Sequence, residues 1–180
     1  MQPIDTRQFR DALGRFASGV TVVTARHKEQ TLGMTASAFV SVSLDPPLVL
    51  VSLDNRSSLH SILAEVGRYG VSVLSENQEV LSNHFAGRKA EGLVPRFILR
   101  EEVPLLEYAL AHFVVDVIDA HPAGDHTLYI GRVRFFDWRD GAPLLFFSGR
   151  YRQTRPEAPK AAQWREDEFS LFSIGSMDPL

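Results

Sequence analysis

Cysteine is absent from this chain of 180 residues. Its absence excludes disulfides, thiolate nucleophiles, cysteine-bound zinc and iron–sulfur clusters, so any redox chemistry must come from a bound cofactor. Long apolar runs are absent as well, because no stretch approaches the roughly 20 apolar residues that cross a bilayer. Residues 1–10 also lack the apolar core of a signal peptide. We therefore expect a cytoplasmic protein that makes no membrane contact.

Clustered positive charge is also scarce. The chain carries 19 Lys and Arg against 22 Asp and Glu, for a formal net charge of -3. It has no basic run that would neutralise a phosphate backbone, so nucleic acid is not an expected partner. A mass of 20.1 kDa with 44% hydrophobic residues predicts one compact domain with its own core.

Three familiar site signatures are missing. None of the 12 glycines forms a G-x-G-x-x-G fingerprint or a P-loop, so a Rossmann site for NAD(P)H is unsupported. No G-x-S-x-G elbow is present, which argues against a hydrolase. The acids and histidines of residues 116–126 fit no familiar ligand spacing. We interpret them as a polar hairpin end and expect no metal.

Helical spacing of apolar residues is clear in three places. Phe9, Leu13 and Phe16 recur at i, i+4 and i+7 after Asp5 and Thr6, either of which can cap a helix. A second helix is predicted over residues 55–66, and a third over 77–85.

Strand patterns account for most of the remaining chain. Strands are predicted over residues 20–25, 31–43, 48–53, 71–74, 114–118, 127–138 and 144–151. Turns are predicted at residues 45–47, 122–124 and 140–141. The charged stretch 88–107 is predicted to be irregular. These strands predict a mainly β fold with helices, an antiparallel barrel that is closed or nearly closed.

The strand over residues 31–43 alternates almost perfectly. Its predicted core face carries Met34, Ala36, Ala38, Val40 and Val42, and its other face carries Thr35, Ser37, Ser41 and Ser43. The run 48–53 is uniformly apolar and is predicted to be buried on both faces.

The segment from Gly33 to Ile62 can hold a flat polar ligand. Hydroxyls of Thr35 and Ser37 can bond the edge of a ring, and residues 55–58 bring a helix start, hydroxyls and a guanidinium together as a phosphate site requires. An ordinary half-buried strand and a helix cap explain the same residues without any ligand.

Several motifs in fixed order resemble one family. They are GMTASAF at 33–39, SVSLDPPL at 41–48, NRSS at 55–58, HFAG at 84–87, AGDHT at 123–127, GAPLLFF at 141–147 and GRY at 149–151. Over residues 9–151, the chain resembles the flavin reductase-like, FMN-binding split-barrel proteins. The resemblance implies a split β-barrel domain over 1–152, with a tail at 153–180 that packs on the barrel or on a dimer partner.

The same resemblance implies where a flavin binds. It assigns to the cofactor Thr35, Ala36, Ser37, Ala38, Ser52, Leu53, Asp54, Ser57, Ser58, Phe85, Arg88, Lys89 and Tyr151. Residues 35–38 would line the isoalloxazine ring, 52–54 would lie beside it, and 57–58 would hold the ribityl phosphate.

The remaining roles are implied in the same way. Phe85 would close over the flavin, with Arg88 or Lys89 near the phosphate or the adenylate, and Tyr151 would lie close to the site. His126 would be the catalytic residue beside the nicotinamide, which stacks directly on the flavin.

The activity implied is hydride transfer from NADH or NADPH to FMN or FAD. Reduced flavin would then pass, through a transient contact, to a separate flavin-dependent monooxygenase. The resemblance also implies a homodimer whose two chains shape the flavin cleft. Two alternatives remain: a flavin-binding or electron-transfer protein without reductase activity, and an oxidase of the pyridoxamine-phosphate-oxidase kind. The motif at 124–126 favours the reductase.

Overall fold

The computed structural model describes residues 3–154. Its helices are α1 (Thr6–Leu13), α2 (Ser58–Val66) and α3 (Glu79–Phe85), the last preceded by a 3₁₀ turn at Glu76–Gln78. Its strands are β1 (Ser18–Gly19), β2 (Thr21–His27), β3 (Gln30–Ala36), β4 (Phe39–Leu44), β5 (Pro47–Asp54), β6 (Arg68–Val73), β7 (Phe97–Arg100), β8 (Val103–Leu106), β9 (Ala111–Ala123), β10 (His126–Trp138), β11 (Leu145–Phe147) and β12 (Arg150–Arg152). Within residues 3–154, no helix is long and apolar enough to span a bilayer.

Seven strands form one antiparallel sheet in the order β3-β2-β6-β9-β10-β5-β4. Its two edge strands, β3 and β4, are consecutive in the chain and are joined only by Ser37 and Ala38. A flat sheet of seven strands would hold its edges about 29 Å apart. A two-residue link reaches only about 11 Å. The sheet is therefore curled until its edges meet at Ser37, and the predicted antiparallel, mainly β fold is confirmed.

The main core fills the inside of the curled sheet. Val23, Val51, Leu53 and Tyr69 are fully buried there or nearly so, and α2 adds Leu59 and Leu63. Helix α2 begins at Ser58, within the predicted range 55–66, and the Ser57 hydroxyl caps it by accepting a hydrogen bond from the His60 amide at 3.2 Å. It ends at Gly67, whose φ of +65° suits glycine.

The single strand predicted over residues 31–43 is wrong. Its chain leaves β3 after Ala36 and enters β4 at Phe39, on the opposite edge of the sheet. This crossing resets the alternation of faces, and a further register shift lies between Ser41 and Ser43. Val40 and Val42 are consequently 53% and 48% exposed, although both were predicted to face the core.

Strand β5 is buried on one face only, which corrects the prediction for residues 48–53. Val49, Val51 and Leu53 are buried, whereas Leu48 and Leu50 are half-buried. Alternate side chains of a strand point to opposite faces, and only the face that carries Val49, Val51 and Leu53 packs in the main core.

The stretch 88–107, predicted to be irregular, contains the β7–β8 hairpin. Val103, Leu105 and Leu106 of that hairpin are at most 5% exposed. They lie on the sheet at Gly70, where a Cβ atom would come within 2.6 Å of Leu105 Cδ2. The Thr24 hydroxyl donates to the Pro104 carbonyl.

Replacing Gly70 with alanine should therefore destabilise the fold. The added Cβ meets the side chains of Leu105 and Val103, as well as the Thr24 hydroxyl at 2.9 Å. Overpacking of this kind costs about 1–3 kcal/mol of unfolding free energy. Chemical denaturation should report that loss. Gly19→Ala is the control because nothing lies within 4 Å of its added Cβ; equal stability of the two variants would contradict the packing argument.

The run 144–151 is a small hairpin and not the single strand predicted. Ser148 and Gly149 adopt φ values of +50° and +74° and turn the chain from β11 back into β12. The β9–β10 turn lies at residues 124–125, so the turn signal at 122–124 starts two residues early. The predicted tail falls largely on residues 155–180, outside those described.

Candidate functional site

A cleft of about 330 Å³ opens where β3 ends, between α3 and the β11–β12 hairpin. Four residues of the predicted site line it: Thr35, Ser37, Arg88 and Tyr151. We call it the Tyr151 cleft. Residues far apart in the chain therefore meet here, and the volume lies within the usual range for small-molecule sites.

The Tyr151 cleft has a fixed polar wall. The Thr35 hydroxyl donates to the Ser82 carbonyl at 2.7 Å, and the hydroxyls of Ser82 and Tyr151 are 2.8 Å apart. Ser82 is fully buried, and the Tyr151 ring packs edge-on against Phe146 at a centroid distance of 5.4 Å. These contacts hold the Tyr151 hydroxyl in place before any ligand arrives.

Two further clefts meet the first at Ser37. One, of about 720 Å³, is lined by Arg10, Arg15 and Arg88 among others, and we call it the arginine cleft. The other, of about 690 Å³, is lined by Leu13, Phe16, Phe39 and Val40 among others, and we call it the apolar cleft. Ser37 lines all three because it lies in the link between the two sheet edges.

A second group of predicted residues lies at the end of β5. Asp54 is opposite His126 in the β5–β10 ladder. The Arg56 side chain donates to both carboxylate oxygens of Asp54, at 3.0 and 2.7 Å. These bonds, together with one from the Arg56 backbone amide, hold the pKa of Asp54 well below its ordinary value.

His126 is oriented by its neighbour in the turn. Its Nδ1 donates to Oδ1 of Asp125 at 2.7 Å, and this bond lowers the pKa of the Asp125 carboxyl. A carboxylate on Nδ1 fixes the ring and leaves Nε2 for a ligand. Among residues 3–154, Nε2 of His126 has no hydrogen-bond partner.

The predicted phosphate-holding serines occupy the start of α2. The Ser57 hydroxyl caps the helix, whereas Ser58 is exposed. Asn55 is held by Thr127, whose hydroxyl donates to the Asn55 side-chain oxygen at 2.7 Å. A phosphate here would therefore meet the free amides of the first helical turn and the Ser58 hydroxyl.

Strand β5 connects the two groups of residues. The Ser52 amide donates to the Ala38 carbonyl at 3.1 Å, and Asp54 follows two residues later. Leu53, between them, is fully buried in the main core, and Ala36 is 7% exposed. Their side chains are therefore directed to the core, and the Ala36 carbonyl already accepts a hydrogen bond from the Thr21 hydroxyl at 2.7 Å.

Phe85, the last residue of α3, packs between that helix and β3. A Cβ atom on Gly33 would lie 2.8 Å from its ring, and the ring meets Phe97 edge-on at 6.3 Å. Phe85 therefore holds α3 against β3, which only glycine at residue 33 permits. Lys89 is exposed and lines none of the three clefts.

Sequence analysis missed several lining residues. Phe146 and Gly149 lie inside motifs that carry the resemblance but received no role. Arg10 and Arg15 of the arginine cleft carry no local signal, because exposed arginines near a helix end are common. Ser82 is equally inconspicuous in sequence, and only the fold places its hydroxyl beside Tyr151.

Another cleft, of about 430 Å³, lies elsewhere, with Arg26, Glu29, Arg68 and Glu101 in its lining. Arg26 pairs with Glu29 at 3.2 Å, and Arg68 pairs with Asp116 at 2.6 Å. Its other charged residues, Lys28, Glu101 and Glu102, have no salt-bridge partner among residues 3–154, and none of the predicted site residues lines it.

The arrangement around Ser37 suits a flavin. The Tyr151 cleft offers hydroxyls and an aromatic side chain to a flat ring, and the arginine cleft offers three arginines to phosphates. The residues present therefore fit the cofactor that the motifs imply.

Known proteins support this interpretation. Residues 13–155 match the family model described as flavin reductase like domain. An NADH-dependent flavin reductase from Rhodococcus is 52% identical over 146 residues, covering 79% of this chain and 83% of the relative. The reductase component of 4-hydroxyphenylacetate 3-monooxygenase from Thermus thermophilus is 42% identical, covering 81% of this chain and 94% of the relative.

Solved structures agree. The flavin reductase of styrene monooxygenase from Pseudomonas putida matches with a TM-score of 0.78 and 39% identity, over 83% of this chain and 99% of that one. An NADH:FAD oxidoreductase from Streptomyces globisporus, solved with NAD and FAD fragments, matches with a TM-score of 0.78 and 34% identity, over 88% of this chain and 99% of that one. The chain belongs to the flavin reductase-like family.

Proposed function

We propose that this chain is an NAD(P)H:flavin oxidoreductase that reduces FMN or FAD. The observation that carries the proposal is the meeting of three clefts at Ser37, one of which brings together Thr35, Arg88 and Tyr151. The names of the relatives, which include an NADH-dependent flavin reductase and an FMN reductase (NADH), support NADH as the donor.

The proposed role of the protein is to position the flavin and NAD(P)H, because the two bound molecules carry out the hydride transfer. When bound, the flavin supplies the hydride acceptor, and NAD(P)H supplies the hydride. Ser37 lines the Tyr151 cleft, where the ring is proposed to bind, and Tyr151 presents a hydroxyl fixed by Ser82. His126, oriented by Asp125, is proposed to hold the nicotinamide end of the donor.

Reduced flavin is proposed to serve a separate monooxygenase through a transient contact. Relatives named as reductase components of 4-hydroxyphenylacetate and 4-nitrophenol monooxygenases support this role. We also propose that residues 1–152 form the catalytic unit, as the span of the family match supports.

A homodimer is proposed to complete the site. The apolar cleft and the neighbouring strand expose Phe16, Leu44 and Val40, which are 81%, 86% and 53% accessible. Stable interfaces bury about 800 Å² per partner, and exposed apolar side chains of this kind commonly supply it. A second copy over this face would also enclose Ser37.

Val40→Asp should therefore yield a monomer that binds flavin weakly. Sedimentation velocity should show the wild-type chain at twice the mass of the variant. Val94→Asp is the control, since Val94 is 80% exposed but lies outside this face. A wild-type monomer that still binds flavin would contradict the dimer.

The reductase proposal is tested by anaerobic stopped-flow absorbance. The purified protein is mixed first with FMN or FAD and then with NADH or NADPH. Rapid loss of the oxidised flavin band is expected with at least one pair, and the pair identifies flavin and donor. Flavin binding without bleaching would instead favour the flavin-binding or electron-transfer function.

A further inference from the structure

The arginine cleft carries positive charge, and binding of an uncharged ring in the Tyr151 cleft does not require that charge. It lies between α1, the β11–β12 hairpin and the residues after α3, and it is lined by Arg10, Arg15 and Arg88. One carboxylate, Asp11, also lines it, so its formal charge is positive. Three guanidinium groups around one concave surface favour an anion.

These arginines are not neutralised within the described chain. In residues 3–154, no carboxylate lies within salt-bridge distance of Arg10, Arg15 or Arg88. Among residues 3–154, the Arg88 side chain makes only one long hydrogen bond, of 3.4 Å, to the Asn83 side-chain oxygen. Arg26, Arg56, Arg68 and Arg134 have acidic partners, whereas Arg7, Arg96, Arg100, Arg132, Arg139, Arg150 and Arg152 have none among residues 3–154. The arginine cleft is therefore distinguished by bringing three unpaired arginines together. The charge of the cleft is therefore available to a ligand.

The wall of the cleft also contains an unpartnered hydroxyl. The Ser148 Oγ is buried and has no hydrogen-bond partner among the described residues. Ser148 is held at the hairpin turn, where its amide donates to the Gly14 carbonyl at 2.8 Å and ties the turn to the end of α1. Because this oxygen is shielded from solvent, it shapes the wall of the cleft and does not contact a ligand there.

The arginine cleft is continuous with the Tyr151 cleft. Both are lined by Ser37, Arg88, Phe146 and Gly149. A ligand whose ring lies in the 330 Å³ cleft can therefore extend past Arg88 into the 720 Å³ cleft without leaving the protein surface. A mononucleotide carries one phosphate, whereas a dinucleotide carries a pyrophosphate and an adenosine that need this additional space.

We propose that Arg10 and Arg15 form, with Arg88, a subsite for the pyrophosphate of a dinucleotide bound at Ser37. The inference rests on the proposed function only for the identity of that dinucleotide, which is FAD or NADH. For FAD this placement replaces the one that the motifs imply, because the ribityl phosphate expected at Ser57 and Ser58 is part of the pyrophosphate. Such a subsite would make the chain bind a dinucleotide more tightly than the mononucleotide with the same ring, for example FAD more tightly than FMN.

The test is a binding titration with matched ligand pairs. Dissociation constants are measured for FMN and FAD, and for NADH and reduced nicotinamide mononucleotide, on the full chain carrying Arg10→Gln and Arg15→Gln together. Losing two charged contacts at a solvent-exposed site should raise the Kd of the relevant dinucleotide about tenfold. The Kd of its mononucleotide should change less than about threefold.

Two further variants keep the test independent of folding. Arg7→Gln removes an exposed arginine of α1 that does not line the cleft, and it should leave all four constants within twofold. Asp11→Asn removes the opposing charge and should tighten dinucleotide binding. An effect of opposite sign from a neighbouring residue cannot come from partial unfolding.

Each outcome decides the matter. Selective weakening of FAD or of NADH supports the subsite and identifies its occupant. Equal weakening of a dinucleotide and its mononucleotide, or no weakening at all, overturns it. Because binding is measured without turnover, a chain that binds FAD through these arginines but fails to oxidise NADH would refute the proposed function and keep the subsite.

Discussion

Ser37→Trp should abolish flavin binding, raising the Kd for FMN and for FAD at least about a hundredfold, or about 2.7 kcal/mol. Ser37 lines the Tyr151 cleft, the arginine cleft and the apolar cleft, so an indole at this position obstructs all three. The fold should survive, because Ser37 is exposed and lies in the link between β3 and β4. Flavin fluorescence quenching gives the dissociation constants.

Thr31→Trp is the matched control for this substitution. Thr31 is exposed on β3, pairs with Arg26 at the end of that strand far from Ser37, and lines none of these clefts. We expect its flavin affinity to equal that of the wild-type chain. Retention of affinity by Ser37→Trp would remove the three clefts from the cofactor site.

His126→Ala should slow flavin reduction by NADH about a hundredfold and leave the flavin Kd within about twofold. The imidazole is oriented by Asp125 and lies opposite Asp54, outside the ring cleft. Its loss should therefore displace the donor without disturbing the acceptor, and displacements of about 1 Å can cost this much in rate. Single-turnover stopped flow separates the two effects.

His121→Ala controls for loss of an imidazole on the same hairpin. His121 lies on β9, pairs with Asp119 at 2.8 Å and is 60% exposed at its side chain. We expect wild-type reduction kinetics from it. Reduction by His126→Ala at the wild-type rate would exclude His126 from the mechanism.

The fold was predictable where the pattern is local. Helix α2 follows from its cap at Ser57 and its terminator at Gly67, and β10 follows from a long β-rich run. Local pattern does not show that the chain passes from one edge of a sheet to the other. For this reason β3 and β4, which are separated at Ser37, were predicted as one strand. The β7–β8 hairpin was missed because its burial depends on Gly70, a residue about thirty positions away.

The site was predictable only through the order of its motifs. Thr35, Ser37, Arg88 and Tyr151 do share a cleft, although no single motif around them is distinctive. Leu53 and Phe85 were assigned to the cofactor by their motif positions; the Leu53 side chain lies in the core, and the Phe85 ring lies against Gly33. A motif gives sequence position, whereas the direction of a side chain depends on strand register and on packing partners.

The curled sheet explains why the site lies where it does. Bringing two sheet edges together at a two-residue link leaves a gap that the ladder does not fill. Helix α1, helix α3 and the β11–β12 hairpin then form walls around that gap. The cofactor site is therefore a consequence of how the sheet closes.

The most direct test of this account is a crystal structure of the chain with bound FMN or FAD. The account predicts the isoalloxazine ring in the Tyr151 cleft, in contact with Ser37 and near the Tyr151 hydroxyl. A ring bound elsewhere, for example in the cleft between Arg26 and Glu101, would contradict it.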